Sequence, residues 1–209
     1  MLESITIKSL MKKLNLNTTA ILKYFKWHNL MKEELLSKIS ETTYDDVNIT
    51  SEYYSDQHMS DWSRSLDFDR EWVKCIMPRL GEHFDTCAND LNYQVCYTKE
   101  IWFQQYNKNN THGWHIHGRT YTGVYYLEFP DGSPKTELID QGDTNQKIVV
   151  DAKEGDIIIF PSFIIHRAPK VTNDNRKTII SFNLEFDMIN EKLLKSLQHK
   201  YDVNIREEN

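Results

Sequence analysis

Three histidines stand within six consecutive positions of the chain, at His112, His115 and His117. His115 and His117 are two residues apart, and on an extended strand side chains two apart point to the same face. Both imidazoles could therefore bind one metal ion from a single strand, and imidazole is a good ligand for iron, zinc, copper or nickel. The pattern predicts a metal site, with His112 beside the adjacent turn as a surface residue or a support for the ligands.

A third ligand has to come from another part of the chain, and the best candidate is His166 in the segment FPSFIIHRAP. Three ligands from two strands can occupy one face of an octahedron and leave positions open for a substrate or oxygen. A closed structural zinc site normally has four ligands, mostly cysteine. None of Cys75, Cys87 and Cys96 lies near these histidines in sequence. An open, reactive metal site therefore fits the residues better than a structural one.

The composition is that of an ordinary globular protein. The chain has 209 residues, of which 39% are hydrophobic and 27% charged, enough for one domain with a sizeable core. The net charge of −6 argues against a general nucleic-acid-binding surface, which is normally basic. The three cysteines form no paired motif, which predicts reduced thiols and a cytoplasmic protein. We expect no signal peptide and no membrane span, since no run approaches about 20 apolar residues.

The N-terminal part of the chain is predicted to be largely helical. Ile21–Trp27 is predicted as a strand, followed by a helix with Asn29 as its N-cap. Residues 42–68 are polar and lack a clear period, which predicts a long connection that acts as a mobile covering segment. A second helix is expected after Asp69, with Pro78 kinking it or splitting it in two.

From Asn92 onward the hydrophobic pattern changes to a period of two. About eight strands separated by turns predict a mainly β sandwich, jelly roll or barrel. A final helix with leucines on one face is predicted within Asn190–Tyr201. We therefore expect residues 1–91 to be a helical, supporting segment packed on a β core of residues 92–209, all within one compact domain.

The segment from about Asn92 to Phe186 resembles the Fe(II)/2-oxoglutarate-dependent oxygenases. It is most similar to small oxygenases of phages and marine bacteria, and more distantly to prolyl-hydroxylase-type enzymes. The matching pieces, in order, are WHIH, GVYYL, EGDIIIFPSFIIH, and RKT followed by ISFN. The resemblance implies a double-stranded β-helix, also called a jelly roll or cupin-like fold. It also implies a hydroxylase that uses Fe(II), 2-oxoglutarate and O2.

The same resemblance implies roles for the histidines. His115 would be the first metal ligand and His166 the distal one, while His117 stands where the family's H-x-D/E motif usually has a carboxylate. Three readings of His117 are open. It binds the metal itself, which the spacing favours; it is a bystander beside a vacant position; or a carboxylate such as Glu128 or Glu137 supplies the missing ligand.

Further residues are implied as contacts of 2-oxoglutarate. Arg176 would grip the distal carboxylate of 2-oxoglutarate, since a guanidinium can form two hydrogen bonds to a carboxylate. Thr178 resembles the hydroxyl of the family's R-x-S/T element. Tyr126 matches a tyrosine that helps hold the same carboxylate in prolyl-hydroxylase-type enzymes. Tyr106 and Asn183 are further candidates for a similar role.

Two other classes of protein compete with the oxygenase. One is a three-histidine cupin dioxygenase that needs no 2-oxoglutarate, although it would have no obligatory use for Arg176 and Tyr126. The other is a non-catalytic β-sandwich binding module in which the histidines are ordinary structural residues. The substrate itself is not readable from the sequence. A small molecule or a protein side chain is favoured over nucleic acid because the chain is acidic.

Overall fold

A computed structural model describes residues 18–42 and 59–203 of the chain. The strands are β1 (Ile21–Tyr24), β2 (Met59–Ser60), β3 (Tyr93–Tyr106), β4 (His112–His115), β5 (Tyr121–Glu128), β6 (Glu137–Ile139), β7 (Lys147–Val149), β8 (Asp156–Pro161), β9 (His166–Ala168) and β10 (Lys177–Ile189). The helices are α1 (His28–Ser40), α2 (Glu71–Asp90) and α3 (Glu191–Leu197).

The strands form two antiparallel sheets, as the prediction of a mainly β fold requires. The major sheet has the order β1-β8-β5-β10-β3-β2, and the minor sheet has the order β4-β9-β6-β7. Because neighbours in each sheet are mostly distant in sequence, the two sheets are wound together rather than built from separate hairpins. This is the double-stranded β-helix that the sequence motifs imply, and the prediction is confirmed.

The long strand β10 contributes to two hydrophobic cores, one on each of its faces. Ile180, Phe182 and Leu184 face a core that the major sheet shares with α1 and α2. Phe182 packs against Phe84 of α2 with ring centroids 4.5 Å apart. Ile179 faces the opposite way, into a second core between the two sheets. Because β10 is buried on both faces, its sequence pattern alone does not reveal which face lies inside the barrel.

The helices begin close to their predicted positions but with different caps. The structure places Trp27 before α1 and Arg70 before α2, so Asn29 and Asp69 are not the N-caps. The expectation that Pro78 splits α2 is wrong, since one helix runs through it. Pro78 lies on the exposed side. Water can therefore pair with the helix carbonyl that a proline leaves without its N–H partner.

The N-terminal segment is part of the sheet and not only a layer upon it. β1 pairs with β8, and β2 pairs with β3, so both edge strands of the major sheet come from residues before 92. The division into residues 1–91 and 92–209 stays a prediction. At the other end, the leucine face predicted for the last helix is not buried, since Leu194 and Leu197 are 40% and 38% exposed.

Part of the predicted covering segment, residues 43–58, lies outside the described residues. The rest of it, up to Phe68, is held against β3 by a buried ion pair between Asp61 and Arg70. Asp61 also accepts hydrogen bonds from the Phe103 backbone N–H at 2.9 Å and the Trp72 indole N–H at 3.0 Å. The covering role stays a prediction, but this portion is anchored through its backbone and through Asp61.

We expect Asp61→Ala to destabilise the fold by about 3–5 kcal/mol, because it leaves the buried Arg70 guanidinium without its carboxylate. The free energy of unfolding in urea measures the effect. Asp174→Ala is the matched control, since it removes the carboxylate of an exposed pair with Lys108 and should change stability by less than about 0.5 kcal/mol. Equal effects of the two variants would contradict this assignment.

Candidate metal centre and cosubstrate pocket

The pairing of β4 with β9 brings the three predicted ligands together. His115 lies directly opposite His166 in the antiparallel register. His117 follows β4 and donates its backbone N–H to the Ser162 carbonyl at 2.9 Å, which ties it to the segment between β8 and β9. The ligand atoms of His115, His117 and His166 all lie within 4.8 Å of one another. Among the described residues, this is the one group of three or more metal-ligating side chains.

Two of the three imidazoles are oriented by backbone carbonyls. His115 Nδ1 lies 2.7 Å from the Gly113 carbonyl oxygen, and His166 Nδ1 lies 2.9 Å from the Ile164 carbonyl oxygen. A carbonyl can only accept, so each Nδ1 carries the proton and each Nε2 is left with a lone pair. In both residues the nitrogen that can bind a metal is thereby selected before any metal arrives.

Burial keeps the three imidazoles neutral at physiological pH. It lowers the pKa of His117 to about 3, with a further contribution from the neighbouring His115. Burial also lowers the pKa of His115, and it holds the pKa of His166 well below its usual value. Neutral nitrogen donors clustered in a desolvated pocket are what a divalent iron ion needs, so the residues present fit the group.

His112, which was predicted to be a surface or supporting residue, stacks on a ligand. Its ring lies parallel to that of His115, with centroids 3.9 Å apart and planes inclined by 7°. The Gln104 side-chain nitrogen lies 2.9 Å from His112 Nδ1, and Ser181 donates to the oxygen of the same amide. His112 therefore packs behind His115 and restricts the rotation of that ring.

The two carboxylates considered as replacement ligands are held elsewhere. Glu128 accepts two hydrogen bonds from Arg176, at 2.7 and 3.1 Å. Glu137 forms ion pairs with Lys147 and Arg167, both at 2.6 Å. Neither belongs to the group of possible ligands, so this geometry favours His117 over a distant carboxylate as the third donor.

The structure does not bring Arg176 or Thr178 to the histidines. Thr178 shares a strand face with Ile180 and Phe182, which pack towards the helices, and it donates to Glu128 at 2.8 Å. Arg176 precedes β10, points to the same side and has a side chain that is 43% exposed. Both residues belong to a polar cluster around Glu128 on the far side of the major sheet.

Sequence reasoning missed Lys177, a buried cation on the inner side. It lies on the same face of β10 as Ile179 and Ser181, which line the histidine cavity. Its side chain is fully enclosed, with Nζ 5.4 Å from the ring centroid of Tyr106 and 5.2 Å from that of Phe129. The signal was its two-residue spacing from Ile179, but because both faces of this strand are buried, that spacing does not tell which face meets the histidines.

Lys177 has only a weak partner for its charge. Nζ donates to the Pro134 carbonyl at 2.9 Å, and no carboxylate among the described residues pairs with it. Burial lowers the pKa of Lys177 to about 7. An ammonium held in an apolar, aromatic environment is costly unless it has an anionic partner.

The predicted tyrosines lie on this inner side. Tyr126 is fully buried in the core between the sheets, and its hydroxyl donates to Thr136 at 2.7 Å. Thr136 and Tyr106 both line the histidine cavity, which has a volume of about 360 Å³ including its open mouth. The cavity therefore has the histidines on one wall and these polar side chains on another.

The comparisons with known proteins point to an iron-dependent oxygenase. The family model described as "Putative 2OG-Fe(II) oxygenase" matches residues 100–183, a range that includes the three histidines and Lys177. The matched range is 84 of the 209 residues, and it makes this part of the chain similar to the 2OG-Fe(II) oxygenases. The findings support a dioxygenase that uses Fe(II), 2-oxoglutarate and O2, as that superfamily does. Neither alternative class is favoured by these findings.

Solved structures share the fold at low sequence identity. A 2OG-Fe(II) oxygenase family oxidoreductase from Burkholderia pseudomallei is 12% identical with a TM-score of 0.62, over 82% of this chain and 87% of that chain. The viral collagen prolyl hydroxylase of Paramecium Bursaria Chlorella virus-1 is 14% identical with a TM-score of 0.54, over 79% and 94%. A prolyl hydroxylase from Trichoplax adhaerens is 15% identical with a TM-score of 0.58, over 83% and 84%. No curated protein matches the chain.

We predict that metal affinity will depend weakly on pH. Three histidines with ordinary pKa values would lose roughly a thousandfold in affinity between pH 7.5 and 5.5 through competition with protons. Because burial lowers the pKa of all three here, we expect a loss below about tenfold. Calorimetric titration with Co(II) at the two pH values measures it, and a thousandfold loss would show that the imidazoles are not desolvated.

Proposed function

We propose that this oxygenase is a hydroxylase in which His115, His117 and His166 hold Fe(II) and Lys177 anchors the distal carboxylate of 2-oxoglutarate. The observation that carries the proposal is the buried ammonium of Lys177 on the same strand face as the cavity lining. This role explains why a cation is enclosed there although no carboxylate among the described residues pairs with it. A carboxylate ligand would supply the missing charge.

Lys177 suits this role better than Arg176, which was the residue predicted from the motif. Arg176 already has a two-bond partner in Glu128 and is partly exposed. To reach the cavity, the Arg176 side chain would have to leave Glu128 and move to the opposite face of the major sheet. We infer that Tyr126 and Thr136 support the same carboxylate, since their joined hydroxyls lie on the inner side of the barrel.

Each part of the site then has a definite task. When bound, the iron with 2-oxoglutarate and O2 supplies the oxidising chemistry, while the protein supplies orientation and electrostatics. The carbonyls of Gly113 and Ile164 keep the Nε2 atoms of two histidines available. Lys177 fixes the far end of the cosubstrate, and the apolar core around Ile179 excludes water from it.

We propose a small molecule or an amino-acid side chain as the substrate, in preference to nucleic acid. The net charge of −6 disfavours a polyanion as the partner. The Trichoplax adhaerens relative was solved with a peptide fragment of hypoxia inducible factor, so this fold can present its pocket to a peptide. No helix in the described ranges is long and apolar enough to cross a bilayer. Cytoplasmic location stays a prediction.

The test of this function is an anaerobic titration with Fe(II) and then 2-oxoglutarate. We expect the visible charge-transfer band of a chelated 2-oxoglutarate complex in the wild-type protein, and its loss in His166→Ala. His199→Ala is the control, because it removes an exposed histidine of the C-terminal region and should leave the band unchanged. Iron binding without a band would favour the dioxygenase that needs no 2-oxoglutarate. A band retained in His166→Ala would contradict the ligand assignment.

Two adjacent cations allow a matched test of the cosubstrate anchor. We expect Lys177→Met to weaken 2-oxoglutarate binding roughly 10- to 150-fold, the value of one hydrogen bond to a charged group. We expect Arg176→Met to change it less than threefold, because that side chain lies on the other face of the sheet. Titration of the charge-transfer band gives both dissociation constants, and the reverse ranking would restore Arg176 as the anchor.

The pH dependence of binding gives an independent check. Lys177 holds a carboxylate only when protonated, and its pKa in the free protein is about 7. The dissociation constant should therefore be flat below pH 7 and rise by up to about tenfold per pH unit above it. Lys177→Met should abolish this rise.

A further inference from the structure

His117 differs from the other two histidines in how its ring is held. His115 and His166 each have Nδ1 against a backbone carbonyl two residues earlier in the chain. Within residues 18–42 and 59–203, no carbonyl does the same for the His117 ring. The ring lies between aromatic neighbours, nearly parallel to Trp102 at 5.8 Å and to His166 at 5.1 Å. Stacking restrains the plane of the ring but does not decide which nitrogen carries the proton.

Asn183 lies beside this ring with one of its polar atoms unused. Its side chain is buried, at 5% exposure, on the inner face of β10. The Oδ1 atom has no partner at hydrogen-bond distance among the described residues. Asn183 acts on His117: burial is the largest cause that lowers the pKa of His117, and the nearby Asn183 side chain, as a hydrogen-bond acceptor, raises this pKa. A buried amide oxygen without a partner calls for a donor.

Glu100 fixes the orientation of that amide. The Asn183 side-chain nitrogen donates to a Glu100 carboxylate oxygen at 2.6 Å. A carboxylate accepts and does not donate, so the nitrogen must face Glu100 and the oxygen must face away from it. Glu100 is in turn held by Arg119, whose Nε lies 3.6 Å from the same oxygen. The amide therefore cannot exchange its two ends without losing a charge-assisted hydrogen bond.

We propose that Asn183, oriented by Glu100, is the positioning residue that prepares His117 as a metal ligand. The inference rests on the proposed function, in which His117 binds the iron. An amide oxygen can only accept, so the imidazole nitrogen facing it carries the proton and the other nitrogen keeps its lone pair. Asn183 thus does for His117 what the carbonyls of Gly113 and Ile164 do for the other two histidines.

The arrangement also supplies a negative charge near the metal site, which a third histidine in place of a carboxylate does not provide. His117 stands where the family motif usually has a carboxylate, so the ligand set is neutral. The negative charge of Glu100 acts on His117 through one intervening amide. A ligand histidine whose far nitrogen donates to a polarised acceptor is a stronger donor to the metal. No carboxylate is among the three proposed ligands, but the Glu100 carboxylate is linked to His117 through Asn183 by two hydrogen bonds.

The test compares Co(II) binding by the full chain and by variants of this network. Asn183→Leu removes the acceptor at nearly constant volume, and we expect its Co(II) dissociation constant to rise 10- to 100-fold. The exchange Glu100→Gln with Asn183→Asp reverses the polarity of the bond and still presents an oxygen to His117, so it should restore affinity to within about threefold. Gln105→Leu is the control, since it removes a buried amide whose nitrogen donates to Thr178, away from the cavity.

A second measurement reports on the proton itself. In the Zn(II)-loaded protein labelled with nitrogen-15 at histidine, we expect one protonated and one metal-bound nitrogen for each of His115, His117 and His166. In Asn183→Leu, only the His117 N–H signal should exchange rapidly with water or be lost. A merely structural role of Asn183 would alter all three signals together or none of them.

The outcomes separate this inference from the proposed function. Unchanged Co(II) affinity and an unchanged His117 signal in Asn183→Leu would overturn the positioning role while leaving the metal site standing. Failure of the wild-type protein to bind Co(II) would overturn both. If Asn183→Leu does not fold, the exchanged pair decides: restored affinity with a protected His117 N–H supports the inference, and lost affinity in a folded protein overturns it.

Discussion

The strict alternation of side chains along β10 is the constraint on which the rest of this structure depends. The strand pairs with β3 along one edge and with β5 along the other, so both of its hydrogen-bonding edges are satisfied. One face completes the core beneath the helices, and the other lines the cavity between the sheets. The two sets of side chains cannot exchange without shifting the register by one residue, which would bury the wrong face on both sides.

That alternation distributes the charged groups of the site. Arg176 and Thr178 fall on the helix side, where Glu128 receives them. Lys177 falls on the inner side, where the rings of Tyr106 and Phe129 surround it. An enclosed lysine with a pKa of about 7 lowers stability at pH values where it is protonated. Such a cost is typical of a side chain kept for binding and not for folding.

The proposed metal ligands differ from these residues, since the positions of their protons are set by short-range contacts. Two imidazoles are oriented by carbonyls of their own strands, at Gly113 and Ile164. Local backbone geometry is enough for those two. The third depends on Asn183 and Glu100, which are brought together by pairing of β3 with β10. A histidine in the carboxylate position therefore depends on the major sheet in a way that its neighbours do not.

Much of the fold and of the metal site could be predicted from sequence because the signals are local. A period of two marks β3, β5, β8 and β10, and a His-x-His spacing places two imidazoles on one side of an extended segment. The distal His166 follows from a short motif, and the structure brings it opposite His115. The helix caps were predicted wrongly, and so was the split of α2 at Pro78, because solvent exposure and the adjoining residues decide them.

The sequence by itself thus determined the mainly β architecture and the three clustered histidines. Only the tertiary structure decided which cation of the Arg176–Lys177 pair faces the cavity and which polar side chain meets His117. The physical reason is that both faces of β10 are buried, so the sequence pattern shows the alternation but does not tell which face meets the histidines. Packing of the helices on one side, and of the minor sheet on the other, gives the two faces their different roles.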